Sequence, residues 1–177
     1  MLITQQEFLE YELKAGIGMH NELFKDLARN TVAQIKDLPI KSVLDYGAGT
    51  GVYSDAYFQA GYHIVAFEIF ESHREYMKQN VAYVEIVDKP ITTDLLNFIE
   101  TAEHMTDKEL NFLFKNIKPK YILFSSTSQR VPGFDESWGH INIKEQHEWD
   151  SFFKEKGYTK IKDLAQPTNW SKLYGKD

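Results

Sequence analysis

From residue 42 onward, short apolar runs alternate with segments whose apolar residues return every three or four positions. The runs 42–45, 63–67, 83–87, 94–99 and 121–125 are rich in Val, Ile, Leu and Phe and have the length of buried strands. Between them the helical period predicts helices over 52–60, stopped by Gly61, and over 71–79. A third helix starts at the Thr106-x-x-Glu109 capping box, lasts to about Ile117 and is followed by Pro119. A last helix, 144–156, ends at Gly157, and two further strands are expected at 158–163 and 170–173. The first forty residues read as helical, with Phe8, Leu9, Leu13, Leu23, Leu27, Val32 and Ile35 in helical spacing, interrupted at Gly16-Ile17-Gly18. Strands alternating with helices predict an α/β fold with a mostly parallel sheet.

The first strand runs into Asp45-Tyr46-Gly47-Ala48-Gly49-Thr50-Gly51, and the second ends at Glu68. Glycines let a backbone turn sharply and approach a ligand, and the helix start that follows offers unpaired N–H groups. Nucleotide-type cofactors bind in such a crevice, at the carboxyl ends of sheet strands. The spacing departs from the GxGxxG of dinucleotide sites, because Val52 stands where the third glycine would be. Asp45 would repel a diphosphate and attract an ammonium group. Glu68 follows Asp45 at close to the roughly 20-residue offset of a ribose-binding acid, and its two oxygens can accept from two hydroxyls. S-adenosylmethionine meets these demands, having a cationic amino-acid end, no phosphate and a ribose with two hydroxyls. A tight βαβ turn without a ligand is the competing reading.

This run resembles motif I of the class I S-adenosylmethionine-dependent methyltransferases, and Glu68 resembles their second-strand acid. The resemblance spans roughly residues 40 to 165. It implies a Rossmann-like fold with a seven-stranded, mostly parallel sheet, helices on both faces and a closing antiparallel hairpin. It further implies a cofactor held by Asp45, Tyr46, Gly47, Ala48, Gly49 and Glu68, with Asp88 as the candidate for the adenine.

A second constellation follows the fourth strand: Glu100, Glu103 and His104, joined by His140 before the last helix. Two carboxylates and two imidazoles suit a divalent cation such as Mg²⁺ or Mn²⁺, which could lower the pKa of a bound hydroxyl. Glu-x-x-Glu-His with a later histidine is similar to the ubiquinone-biosynthetic O-methyltransferases and to enzymes that 2′-O-methylate small-RNA ends. That likeness implies Glu100, Glu103, His104 and His140 as ligands. Without a metal, His104 and His140 remain candidate bases for a hydroxyl acceptor, since a histidine titrates near neutrality. A third alternative gives all of these residues structural roles. His20, His63, His73 and His147 read as structural or solvated. Tyr11, Tyr46, Tyr53 and Trp138 either stack on a ligand or pack. The Ser125-Ser126-Thr127-Ser128 run has no adjacent base–acid relay, which excludes a serine hydrolase.

The chain has 177 residues, a net charge of −6 and no cysteine. The length predicts one domain over 1–177; its N-terminal helices, residues 1–40, are read as a cap over the site, with Gly16-Ile17-Gly18-Met19 as the hinge of a lid over the cofactor. The absence of cysteine removes disulfides, a thiolate nucleophile and cysteine-based zinc sites, and fits the cytoplasm. No apolar run reaches the roughly 20 residues of a membrane span. The acidic balance argues against a phosphate-tracking surface. The expected activity is therefore methyl transfer from S-adenosylmethionine to a small-molecule hydroxyl. The rivals are RNA 2′-O-methylation, marked by salt-sensitive RNA binding, and a cofactor-binding protein without turnover.

Overall fold

The computed structural model describes residues 4–176, the side chain of Glu136 excepted. The fold is α/β, with a seven-stranded, mostly parallel sheet. The chain is organised in two compact units, Met1–Lys89 and Pro90–Asp177.

The first unit carries α1 (Gln5–Lys14), α2 (Glu22–Ala33), β1 (Ser42–Tyr46), α3 (Val52–Gln59), β2 (His63–Phe67), α4 (Glu71–Asn80) and β3 (Glu85–Ile86). Its strands run in the order β3-β2-β1, all parallel, with Ser42 opposite His63 and Tyr46 opposite Phe67. Val43, Leu44, Ile64, Val65 and Ala66 are buried on successive positions, so the strands are covered on both faces and show no alternation. Val52, Ala56 and Tyr57 of α3 and Met77 of α4 are buried as well. Thr4 and Glu7 form a capping box that starts α1, and Asn21 caps α2.

The second unit carries β4 (Leu95–Ile99), α5 (Asp107–Asn116), β5 (Tyr121–Ser125), α6 (Phe134–Trp138), α7 (Gln146–Glu155), β6 (Tyr158–Asp163) and β7 (Lys172–Lys176). Its strands lie in the order β4-β5-β7-β6. β4 and β5 are parallel, while β7 is antiparallel to both β5 and β6. Its core is aromatic. The Phe124 ring lies 5.0 Å from Trp149 and 4.8 Å from Phe153, and Phe153 lies 4.5 Å from Tyr174. Such contacts add to the large area these rings bury.

Most elements fall where the pattern places them; three departures have local causes. The third strand is two residues long, because the Val84 N–H closes a turn on the Val81 carbonyl and Tyr83 turns out to bond Asp55. The last strand begins at Lys172 rather than 170. Residues 168–171 form a turn in which the Thr168 N–H donates to Ser171 Oγ and the Ser171 N–H to the Thr168 carbonyl. The short α6 has no helical period to announce it. Leu23, in helical register, is 80% exposed; α2 buries Ala28, Thr31 and Val32 instead. Among the described residues, no helix is long and apolar enough to cross a membrane.

Candidate functional site

The glycine turn is built between β1 and α3 and tied to the end of β2. The N–H groups of Gly47 and Ala48 both donate to the Phe67 carbonyl, at 2.8 and 3.2 Å. Gly51 starts α3 with φ +78°, and a Cβ there would lie 2.9 Å from Val81 Cγ2. Gly49 also has positive φ, +52°, but a Cβ on it would meet nothing within 4 Å. One glycine thus serves packing, and the other faces open space.

Glu68 is buried, and each of its oxygens holds a backbone amide. Oε2 accepts from the Gly49 N–H at 2.8 Å, and Oε1 accepts from the Phe70 N–H at 2.8 Å. It is therefore a clip across the turn, and each carboxylate oxygen retains a further lone pair for a ligand hydroxyl. Asp45 is buried at the end of β1, where its Oδ2 accepts from Ser54 Oγ at 2.6 Å. Ser54 carried no signal in the sequence, being one of several polar residues of α3. The Tyr46 ring rests 4.8 Å from Phe67. Asp45 through Gly49 and Glu68 thus gather at the ends of two paired strands. Asp88, two residues past β3, is 85% exposed and ion-paired with Arg74 at 3.0 Å.

In the second unit, Glu100 follows β4 with φ +44°, a backbone region that non-glycine residues rarely adopt. Its N–H pairs with the Ser125 carbonyl at 2.7 Å. Its carboxylate accepts from Ser125 Oγ, from Thr127 Oγ1 at 3.1 Å and from the Trp170 indole N–H at 3.1 Å. Glu103 sits in a 3-10 turn, Ala102–His104, and is fully buried. Ser126 Oγ donates to its Oε2 at 3.0 Å, and its carbonyl accepts from the N–H groups of Ile141 and Asn142. Burial, and then the neighbouring Glu100 carboxylate, push the Glu103 carboxyl well above the usual range.

The two imidazoles meet here, with ring centroids 5.0 Å apart. His140 Nδ1 lies 3.0 Å from Asp135 Oδ1, and His104 Nδ1 lies 3.2 Å from the Gly139 carbonyl. Facing acceptors, both Nδ1 atoms are assigned the proton, which leaves Nε2 as the lone-pair nitrogen of each ring. Burial, followed by the neighbouring His140 ring, lowers the pKa of His104. Asp135 is itself fixed, its Oδ2 accepting from the Val131 N–H at 2.6 Å. Around the pair stand Phe134, 6.0 Å from the His140 ring, and exposed Ile141.

Of the four expected metal ligands, three come together. One potential ligand atom each from Glu103, His104 and His140 lies within 4.8 Å of the others; Glu100 is outside that group. Asp135 and Trp170 were missed. Asp135 sits in a polar stretch without periodicity, and nothing in the sequence links Trp170 to Glu100 across seventy positions.

A family model described as a methyltransferase domain matches residues 18–170. No curated protein matches the chain in sequence. Among solved structures, the chain is similar to magnesium protoporphyrin IX methyltransferase from Synechocystis with bound S-adenosylhomocysteine. That pair shares 15% identity over 86% of this chain and 83% of that one, with a TM-score of 0.62. It is similar to a S-adenosylmethionine-dependent methyltransferase from Archaeoglobus fulgidus, with 16% identity over 77% and 68% of the two chains and a TM-score of 0.61. It also resembles mitomycin 7-O-methyltransferase, with 13% identity over 97% of this chain and a TM-score of 0.62; this chain spans only 60% of that protein. The likenesses carry the fold, and the family model carries the class. The chain belongs to the methyltransferase-domain family, an enzyme with the class I fold of S-adenosylmethionine-dependent methyltransferases.

Proposed function

We propose that this enzyme takes its methyl group from S-adenosylmethionine and places it on the hydroxyl of a small molecule, as a cytoplasmic protein. The residues of the first unit fit that donor. Gly49 presents open space where a Cβ would stand, Glu68 keeps lone pairs for the ribose hydroxyls, and Asp45 offers a buried carboxylate to a cationic amino-acid end. Tyr46, Gly47 and Ala48 line the same turn, and exposed Asp88 is the remaining candidate for the adenine. Residues 1–40 serve as a cap over one methyltransferase domain.

The observation that carries the acceptor chemistry is the Asp135–His140 pair. The donor, when bound, supplies a sulfonium methyl that needs no further activation. The acceptor hydroxyl must lose a proton as its oxygen–carbon bond forms and the sulfur–carbon bond breaks, its electron pair returning to sulfur. His140 Nε2 receives that proton. Asp135 holds the ring in the required tautomer and stabilises the imidazolium. Neutral His104, with its Nε2 lone pair presented, orients the acceptor by accepting a hydrogen bond from a second polar hydrogen of that molecule. The apolar rim of Phe134 and Ile141 suits a small organic acceptor better than a phosphate-rich one.

A second reading rests on the Glu103–His104–His140 group, which fits a divalent cation through two imidazoles and one carboxylate. One feature weighs against it: Glu100, the fourth ligand expected for Mg²⁺ or Mn²⁺, is engaged by Ser125, Thr127 and Trp170. Were a cation held there, it would acidify the acceptor hydroxyl.

The test is calorimetric titration with S-adenosylhomocysteine, followed by transfer of labelled methyl to a panel of hydroxylated small molecules. Micromolar binding and labelled product support the reading. Binding without transfer to any acceptor marks a non-catalytic cofactor protein, salt-sensitive transfer to RNA 2′-hydroxyls marks the RNA reading, and no binding sinks the proposal.

A further inference from the structure

The first turn of α4 begins at Phe70, which has no side chain able to cap a helix; Glu68 takes the Phe70 amide, and the Glu71 amide is left for another acceptor. The missing acceptor comes from 66 residues away. Gln5 Oε1, at the start of α1, accepts from the Glu71 N–H at 2.9 Å, and the Gln5 carbonyl accepts from Ser72 Oγ at 3.0 Å. Farther along α1, Glu12 Oε2 lies 2.5 Å from His73 Nε2, and the Phe8 ring lies 5.9 Å from both Phe70 and His73. The amide immediately before Glu71, that of Phe70, is the one that holds Glu68 Oε1. Two successive amides of one turn are therefore divided between α1 and the acid assigned to the ribose.

We infer that Gln5 is a positioning residue for Glu68: by capping α4 it fixes the Phe70 amide, and through it the carboxylate that grips the cofactor ribose. This rests on the donor proposed above. Docking of α1 and occupancy of the cofactor crevice are then coupled, each favouring the other. The Glu12–His73 contact and the Phe8 packing anchor α1 so that Gln5 reaches its amide.

The experiment is a double-mutant cycle on S-adenosylhomocysteine affinity, read with amide hydrogen exchange on the ligand-free chain. Gln5→Ala should weaken binding about 3- to 10-fold, and Gln5→Glu, which keeps the acceptor oxygen, should restore it. In a Glu68→Gln background Gln5→Ala should cost no more than 2-fold. Exchange at Phe70 and Glu71 should both accelerate in Gln5→Ala. Acceleration at Glu71 alone, or equal losses in both backgrounds, would overturn the inference. If the native chain binds no S-adenosylhomocysteine, the donor reading fails, while the Phe70 exchange still decides whether Gln5 governs the Glu68 anchor.

Discussion

His140 meets Asp135 through Nδ1 at 3.0 Å, five residues apart, and Asp135 is pinned in turn by the Val131 amide. The carboxylate thus sets the imidazole's tautomer before any acceptor arrives. Replacing it with asparagine keeps the shape and removes the charge that stabilises the imidazolium. Asp135→Asn should lower kcat by roughly 10- to 100-fold, within the range ascribed to a positioned base, and leave S-adenosylhomocysteine affinity unchanged. Steady-state kinetics beside calorimetry on the same variant check this.

Gly49 and Gly51 separate ligand contact from packing. Both carry positive φ, so alanine at either costs about 1–2 kcal/mol of backbone strain. Gly51→Ala adds a clash with Val81 and Met77, whereas the Gly49 Cβ meets no protein atom. Urea denaturation should show Gly51→Ala as the less stable variant. Gly49→Ala should lose more cofactor affinity per unit of stability lost.

Asp150 gives a pH dependence with a definite sign. Burial acts to raise its pKa, but hydrogen bonds from Tyr174 and Lys172 outweigh that and hold it below the usual 3.8. A carboxylate depressed in the folded state contributes stability above its unfolded pKa and loses it as pH falls through the folded value. Native protein should therefore lose this contribution only below about pH 3.8. Asp150→Asn should be less stable at pH 7, where buried Lys172 loses its counter-charge, and approach the native protein in acid. Chemical denaturation at several pH values reads the difference; the partial exposure of Asp150 keeps it modest.

Chelation distinguishes the two readings of the histidine pair. With His140 as the base and no cation beside Glu103, turnover should stay within about 2-fold after EDTA treatment and dialysis, consistent with general-base catalysis. A large loss restored by Mn²⁺ or Mg²⁺ would instead assign Glu103, His104 and His140 to a cation.

The strands and the glycine turn were legible because each depends on local physics. A buried parallel strand must be apolar throughout, a helix must repeat every 3.6 residues, and a turn with positive φ selects glycine. Thr106 and Glu109 announced α5 through a capping box that closes within four residues. The turn at 81–84 was less visible, because Tyr83 belongs to an apolar run and yet turns outward to Asp55.

The sequence by itself determined the strand–turn–helix around Asp45–Gly51, the acid at Glu68 and the Glu103-His104 pair after the fourth strand. Each follows from residue type and short-range spacing. Tertiary structure alone decided how the acids are used. Glu68 clips two backbone amides, Glu100 turns in a strained conformation to the Trp170 indole, and Glu103 is buried beside Glu100. It alone placed Asp135 behind His140 and Gln5 on the α4 amide. Sequence patterns show what a residue can donate, accept or bury; the partner is chosen by which distant segments the fold brings within hydrogen-bonding reach.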